Sequence, residues 1–149
     1  TAFEVFGKVT VAAEQTLWHV LPALLEGRAP RIHNDLAQGG YFGGRKPEDG
    51  RIDWSQPAQQ VYNLHRAVAP PYPGAFTEVN GKRYIIERAR MARPVPAALQ
   101  GLPVGLRVVD NAIFGVCGDG RAIAILSLMD TDGANVSPAQ LQAALTEPQ

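Results

Sequence analysis

Phe42-Gly-Gly-Arg-Lys-Pro-Glu-Asp-Gly-Arg-Ile-Asp-Trp54, followed after a short helical stretch by Pro70-Pro-Tyr-Pro-Gly-Ala-Phe76, is where the periodicity of this chain changes. Upstream the apolar residues recur every three or four positions, and downstream they alternate. Glycine and proline within the stretch force an irregular backbone. It also concentrates Arg45, Lys46, Glu48, Asp49, Arg51 and Asp53 beside Tyr41, Phe42, Trp54, Tyr72 and Phe76. A long loop of this composition is either functional or disordered. Rings close to the charges, with a helix directly behind, favour an ordered and functional loop.

Working upstream, Phe3, Phe6, Val9, Ala13, Leu17, Val20, Leu21 and Leu24 form one helical stripe from Thr1 to about Glu26. Thr1 and Glu4 have the spacing of a capping box, and Gly27 is a natural stop. Pro22 is expected to kink this helix or split off its final turn. The stripe cannot bury itself within its own segment, so it requires a sheet or another helix. Left without such a partner, the chain is expected to self-associate, as a homo-oligomer among other forms, or to be unstable. His19, at the seam of the stripe, reads as a half-exposed helix histidine. The linker follows, with Gly39-Gly40 and Gly43-Gly44 bracketing Tyr41-Phe42. A boundary near Pro47 divides the chain into 1–47 and 48–149.

Working downstream, Ser55 is expected to cap a second helix, Gln56 to Ala69, that buries Val61, Leu64 and Val68. His65 and Arg66 place cations in its last turn, where the helix dipole is negative. Phe76–Val79, Asn80-Gly81 and Arg83–Arg90 read as a hairpin with a type I′ turn. Met91 to Gly105 is Pro-rich and irregular. Leu106–Val109, Asp110-Asn111, Ala112–Cys117, Gly118-Asp-Gly120 and Ala122–Met129 give three more short strands. Ser137 caps a last helix from Pro138 to about Leu145. Short strands at regular spacing predict a small antiparallel barrel, OB-like, with flanking helices.

Lys plus Arg and Asp plus Glu balance at 14 each. A protein relying on phosphate-backbone contacts normally carries a basic excess, so nucleic acid is not the expected partner. No apolar run approaches the ~20 residues of a membrane span, so membrane insertion is not expected either. Thr1-Ala-Phe-Glu opens directly into a helical pattern without the features of a signal peptide. The single Cys117 fits a reducing cytoplasm and reads as a small core hydrophobe. His19, His33 and His65 show no metal-ligand spacing among themselves or with Cys117, so no metal site is expected. Asp130-x-Asp132-Gly133 lacks the remaining ligands of a calcium loop. Glu48, Asp49 and Asp53 are candidates for an acid–base pair, against the commoner solvated or salt-bridged role. No complete catalytic set is found.

The string Arg45-x-Pro-Glu-Asp-Gly-x-Ile-Asp-Trp, the helix ending near Asn63-Leu-His-Arg-Ala, and Pro-Tyr-Pro-Gly-Ala-Phe resemble the formyltransferases that use 10-formyltetrahydrofolate. The resemblance is closest to the UDP-4-amino-4-deoxy-L-arabinose formyltransferases of lipid A modification and polymyxin resistance, and covers only the C-terminal half of such an enzyme. It implies an α+β chain: the terminal helix of a Rossmann-like formyltransferase domain, a linker, then the OB-like barrel. It also implies that the catalytic Asn, His and Asp, and most of the folate site, belong to a missing N-terminal catalytic domain. The chain alone would then be inactive. For the UDP-sugar acceptor, the resemblance offers Arg45 as a diphosphate ligand, with a salt bridge to Glu48 or Asp49 as the alternative. Tyr72, held between prolines, would stack on uracil or simply pack between helix and barrel. Tyr41 and Phe42 would form a lid, while Phe76 and Trp54 read as core. Methionyl-tRNA formyltransferase and a stand-alone OB-like binding module are the rival readings.

Overall fold

The computed structural model describes residues 1–147. The chain divides into two compact units, Ala2–Arg45 and the segment from Lys46 onward.

The first unit is dominated by α1, Ala2–Leu25, none of whose residues is buried. The helix continues through Pro22 to Leu25, so its final turn is not split off. Pro22 lies only one turn from the end, and the ladder resumes at once with Glu26 N–H donating to Pro22 O at 3.1 Å. Gly27 takes φ +69, Arg28 N–H reaches Ala23 O at 2.9 Å and Gly27 N–H reaches Leu24 O at 3.1 Å. That is a Schellman stop of the kind glycine favours. A 3-10 turn at Leu36–Gln38, capped by Asp35, interrupts the linker.

The second unit is a five-stranded antiparallel sheet ordered β1-β2-β5-β4-β3. Its strands are β1 Ala75–Val79, β2 Lys82–Met91, β3 Gly105–Val109, β4 Ala112–Val116 and β5 Ala122–Asp130. Two tight turns fix the register. Asn80 and Gly81 both have positive φ, as do Asp110 and Asn111, and each pair joins its strands in the type I′ manner. β1 and β3 are the two edges, so the sheet is a curled half-barrel. The curl is located where Arg88 opposes Ser127 out of register, while the pairs on either side keep it. Ile86 and Leu128 face the main core before this step, and Ala89, Met91, Ile123 and Ile125 after it. The kink lets two long strands keep apolar side chains inward as the sheet turns.

α2 (Ala58–Ala67) and α3 (Pro138–Thr146) close the main core, in which Ala58, Val61 and Leu141 join Tyr84, Ile86, Ile113 and Ile123. α2 is shorter than expected, and Ser55 does not cap it. Ser55 instead turns back on Asp53, donating its N–H at 2.9 Å and its hydroxyl at 2.6 Å. Pro57 takes the N-cap position, and the Ala58 N–H is accepted by Asp119 from the β4–β5 turn at 3.2 Å. α3 carries the expected capping box of Ser137 and Gln140. Its last turn is held from a distance, because the Asn80 side-chain amide donates to Ala144 O at 2.8 Å and to Glu147 O at 3.0 Å. The irregular 92–104 segment contributes Val95 and Leu99 to a second, smaller core on the opposite face of the sheet.

Candidate functional site

The two halves of the opening motif meet in the second unit. Pro47–Gly50 is a 3-10 turn in which Asp49 accepts the Lys46 N–H at 2.8 Å. Chain direction then carries Arg51 into a parallel bridge with Phe76, secured by Ile52 N–H donating to Phe76 O at 2.8 Å. Pro70–Gly74 forms the facing turn, with Tyr72 N–H donating to Ala69 O at 3.2 Å and Gly74 N–H to Val68 O at 2.9 Å. Both glycines are required by proximity. A Cβ on Gly50 would stand 2.6 Å from Gly74 O, and one on Gly74, at φ +93, would stand 2.9 Å from Ile85 Cγ2. The Pro70–Gly74 turn is therefore clamped between a second loop and the sheet. On it Tyr72 is 52% exposed, the only exposed aromatic side chain among the described residues of this unit.

Beside the clamp lies a charge cluster absent from the expectations above. Arg83 stands 3.9 Å and Arg51 5.1 Å from the centroid of the buried Phe76 ring. Glu78 joins them at 3.8 Å and 2.8 Å. Its hydrogen bond with Arg51 holds the Glu78 carboxyl below the usual carboxylate range and raises the guanidinium. The two cations share the Glu78 carboxylate, and Glu48 adds a second negative charge near Arg51. The signal was present in the sequence. An Asn80-Gly81 I′ turn dictates that Glu78 faces Arg83.

Tyr41, Phe42 and Arg45 belong to the other unit. All three are exposed, and Arg45 has no ion-pair partner among the described residues. Neither Glu48 nor Asp49 takes it up. The acid–base reading of the carboxylates gains no geometry. Asp53 is saturated by Ser55 and Gln56, whose hydrogen bonds hold its carboxyl low. Among the described residues no group of three or more His, Cys, Asp or Glu is gathered to hold a metal. Cys117 is buried, its thiol pushed up to about 12 chiefly by burial, with Asp119 adding to the effect. It is a core residue. Trp54 is core as expected, its ring against Gly115, where a Cβ would fall 2.0 Å away, and its N–H donating to Thr77 Oγ1 at 3.0 Å. His65 departs from expectation. It is 5% exposed with Nδ1 unpartnered, and burial pushes its pKa down, so it is a neutral core residue and no terminal cation. Arg66 stays outside, donating to Asn63 Oδ1 at 3.0 Å and lying over Tyr62.

No described helix is long and apolar enough to cross a membrane. Among solved structures, the chain is similar to HypX from Aquifex aeolicus. Against a multiply substituted HypX variant the TM-score is 0.64 at 20% identity, covering 90% of this chain and 24% of that one. Against HypX in complex with tetrahydrofolic acid it is 0.51 at 22% identity, covering 69% and 18%. The chain thus spans a quarter or less of those proteins, and at such identity the likeness is one of fold. Residues 45–144 match the formyl transferase C-terminal domain. That match begins at Arg45 and takes in both clamped turns, all five strands and nearly all of α3, and on it the chain belongs to the C-terminal domain family of the formyl transferases.

Proposed function

We propose that this chain is the acceptor-holding portion of a sugar-nucleotide N-formyltransferase that acts on UDP-4-amino-4-deoxy-L-arabinose. The observation that carries the reading is the Gly50–Gly74 clamp, which joins the two halves of the motif and offers Tyr72 on a turn too constrained to collapse. A rigid, half-exposed ring suits stacking on a uracil base at small entropic cost. Arg45 is assigned to the diphosphate, which a guanidinium can bind bidentately. Tyr41 and Phe42 are assigned to a lid over the nucleotide.

10-formyltetrahydrofolate supplies the activated formyl group. Its site, and the Asn, His and Asp that manage the transfer, are assigned to a domain preceding Thr1. HypX, a structural neighbour, has been crystallised with tetrahydrofolic acid, in keeping with folate chemistry for the family. The apolar stripe of α1 is assigned to a sheet of that preceding domain, so the 1–149 chain should not transfer formyl groups unaided.

The test is binding of UDP to the intact enzyme. Arg45→Ala and Tyr72→Ala should each weaken UDP binding by about tenfold, the effect of losing one charge-assisted pair or one stacked ring. Unchanged UDP affinity in both variants, or salt-dependent binding of tRNA in place of UDP, overturns the sugar-nucleotide reading.

A further inference from the structure

The equal counts of cations and carboxylates conceal a segregated surface. Residues 82–107 hold Lys82, Arg83, Arg88, Arg90, Arg93 and Arg107 against the single carboxylate Glu87. Glu87 is itself engaged, accepting from Ser127 Oγ at 2.5 Å. Ladder register places part of this charge on one face of the half-barrel. Arg90 lies opposite Ala124, Ala124 opposite Phe114, and Phe114 opposite Arg107. The row crosses four strands and so spans about 14 Å. Beyond it, Leu126 and Ala112 each sit one step past the Ile113–Ile125 pair, with Val109 across from Ala112. Leu126 is 52% exposed although it stands two residues from buried Ala124 on the same face. The other end of this face is covered by Val95 and Leu99. This end is open.

Two features select the occupant. Arg88, Arg90 and Arg107 have no carboxylate within ion-pairing distance among the described residues. Every cation of the row is an arginine, and an exposed leucine lies beside them. Protein interfaces enrich arginine and deplete lysine around an apolar centre, whereas a phosphate-tracking surface needs no exposed leucine. A second copy of this face would set arginine against arginine. We propose that the β2–β5–β4–β3 face docks an acidic amphipathic segment of a partner protein, apolar side chains on Leu126 and Phe114 and carboxylates on the flanking arginines. This surface is separate from the Gly50–Gly74 clamp and does not rest on the sugar-nucleotide reading.

The probe is a helical peptide with leucine at its i, i+3, i+4 and i+7 positions and glutamate elsewhere, titrated into the full chain and followed by amide chemical shifts. Saturable binding should perturb β2, β4 and β5. It should weaken about fivefold or more with Arg90→Glu, with Arg88→Glu and with Leu126→Ser, at unchanged thermal midpoint. A glutamine-for-glutamate peptide should lose most of the affinity. All three substituted side chains are exposed, and a native amide spectrum verifies each fold. Absence of saturable binding overturns the proposal. So does a Leu126→Ser variant that binds like the wild type, or tighter binding of a single-stranded RNA of about 10 nucleotides than of the peptide.

Discussion

α1 and the half-barrel are built from comparably apolar sequence, yet α1 buries no residue and the strands supply most of the core. α1 has a clean 3.6-residue stripe over 24 residues, and Phe3, Phe6, Leu17 and Leu24 all remain exposed. In the second unit much shorter runs suffice. Ile123 and Ile125 are buried because β2 and β4 flank them and α2 and α3 cover them. Periodicity specifies an element and the direction of its apolar face, but burial requires an opposing face. Local pattern is therefore equal in the two regions, and long-range complementarity separates them.

The sharpest way to test that contrast is to remove complementarity from the barrel. Trp54 packs on the bare backbone of Gly115 and satisfies Thr77. Trp54→Ala should cost about 3–5 kcal/mol through the cavity and the stranded hydroxyl, read as a lower urea midpoint. The reciprocal change, Gly115→Ala, puts a methyl into the indole and should cost about 1–3 kcal/mol by overpacking. If either is neutral, the indole is not wedged there.

A smaller effect should come from the two turns that cap helices from a distance. Asp119 accepts the first amide of α2 across 61 residues, and Asn80 holds the end of α3 across more than that. Asp119→Ala should cost about 1 kcal/mol. Asn80→Gly keeps the positive-φ turn but deletes both hydrogen bonds to α3. Amide exchange should then quicken in the last turn of α3 and stay unchanged in β1 and β2. Uniform quickening would mean that the turn itself, and not the cap, was lost.

His65 supplies a pH handle in the second unit. Its folded pKa lies below the unfolded value near 6.5 because burial disfavours the imidazolium. Stability from this group is therefore complete above the unfolded pKa. It declines as pH falls through that value toward the folded pKa, since the unfolded chain then binds the extra proton. The unfolding free energy should fall as pH drops below about 6.5, and His65→Gln should flatten that slope. An unchanged slope assigns the pH dependence elsewhere.

Most of this architecture was legible in advance because its signals are local. Asn80-Gly81 and Asp110-Asn111 announce hairpins, Gly27 announces a helix end, and Ser137-Pro138 announces a helix start. What escaped was non-local. Ser55 has the chemistry of a cap, but Asp53 captures it first, and the cap arrives from Asp119 through strand pairing that no local window contains. His65 sits one turn after Val61 on the buried face of α2, and that spacing outweighs its place in the last turn, where the helix dipole favours a cation. Pro22 leaves the final turn of α1 attached, since a proline one turn from a helix end costs little continuity. Within the candidate site, the clamped Tyr72 turn could be inferred from its prolines. The Arg51–Glu78–Arg83 cluster needed the hairpin register to be carried one step further.

The last test concerns α1, none of whose residues is buried, and there the expected effect on stability is smallest. Leu17→Ser and Leu21→Ser remove apolar surface from a helix face that is already solvated. They should leave the unfolding of the segment from Lys46 onward within about 0.5 kcal/mol of wild type. They should nonetheless reduce self-association, because an exposed apolar stripe of this length is what drives it. Sedimentation velocity at several concentrations separates the two effects. A variant that sediments unchanged but unfolds earlier would show that α1 contributes to the barrel's stability, and the contrast between a partnered and an unpartnered apolar face would fail. A variant that sediments as a smaller species with an unaltered midpoint would show the stripe to be surface awaiting a complement. Restoring that complement in a longer chain should then bury Leu17 and Leu21, and only there should the same substitutions become costly, by roughly the 1.5–3 kcal/mol of a buried leucine.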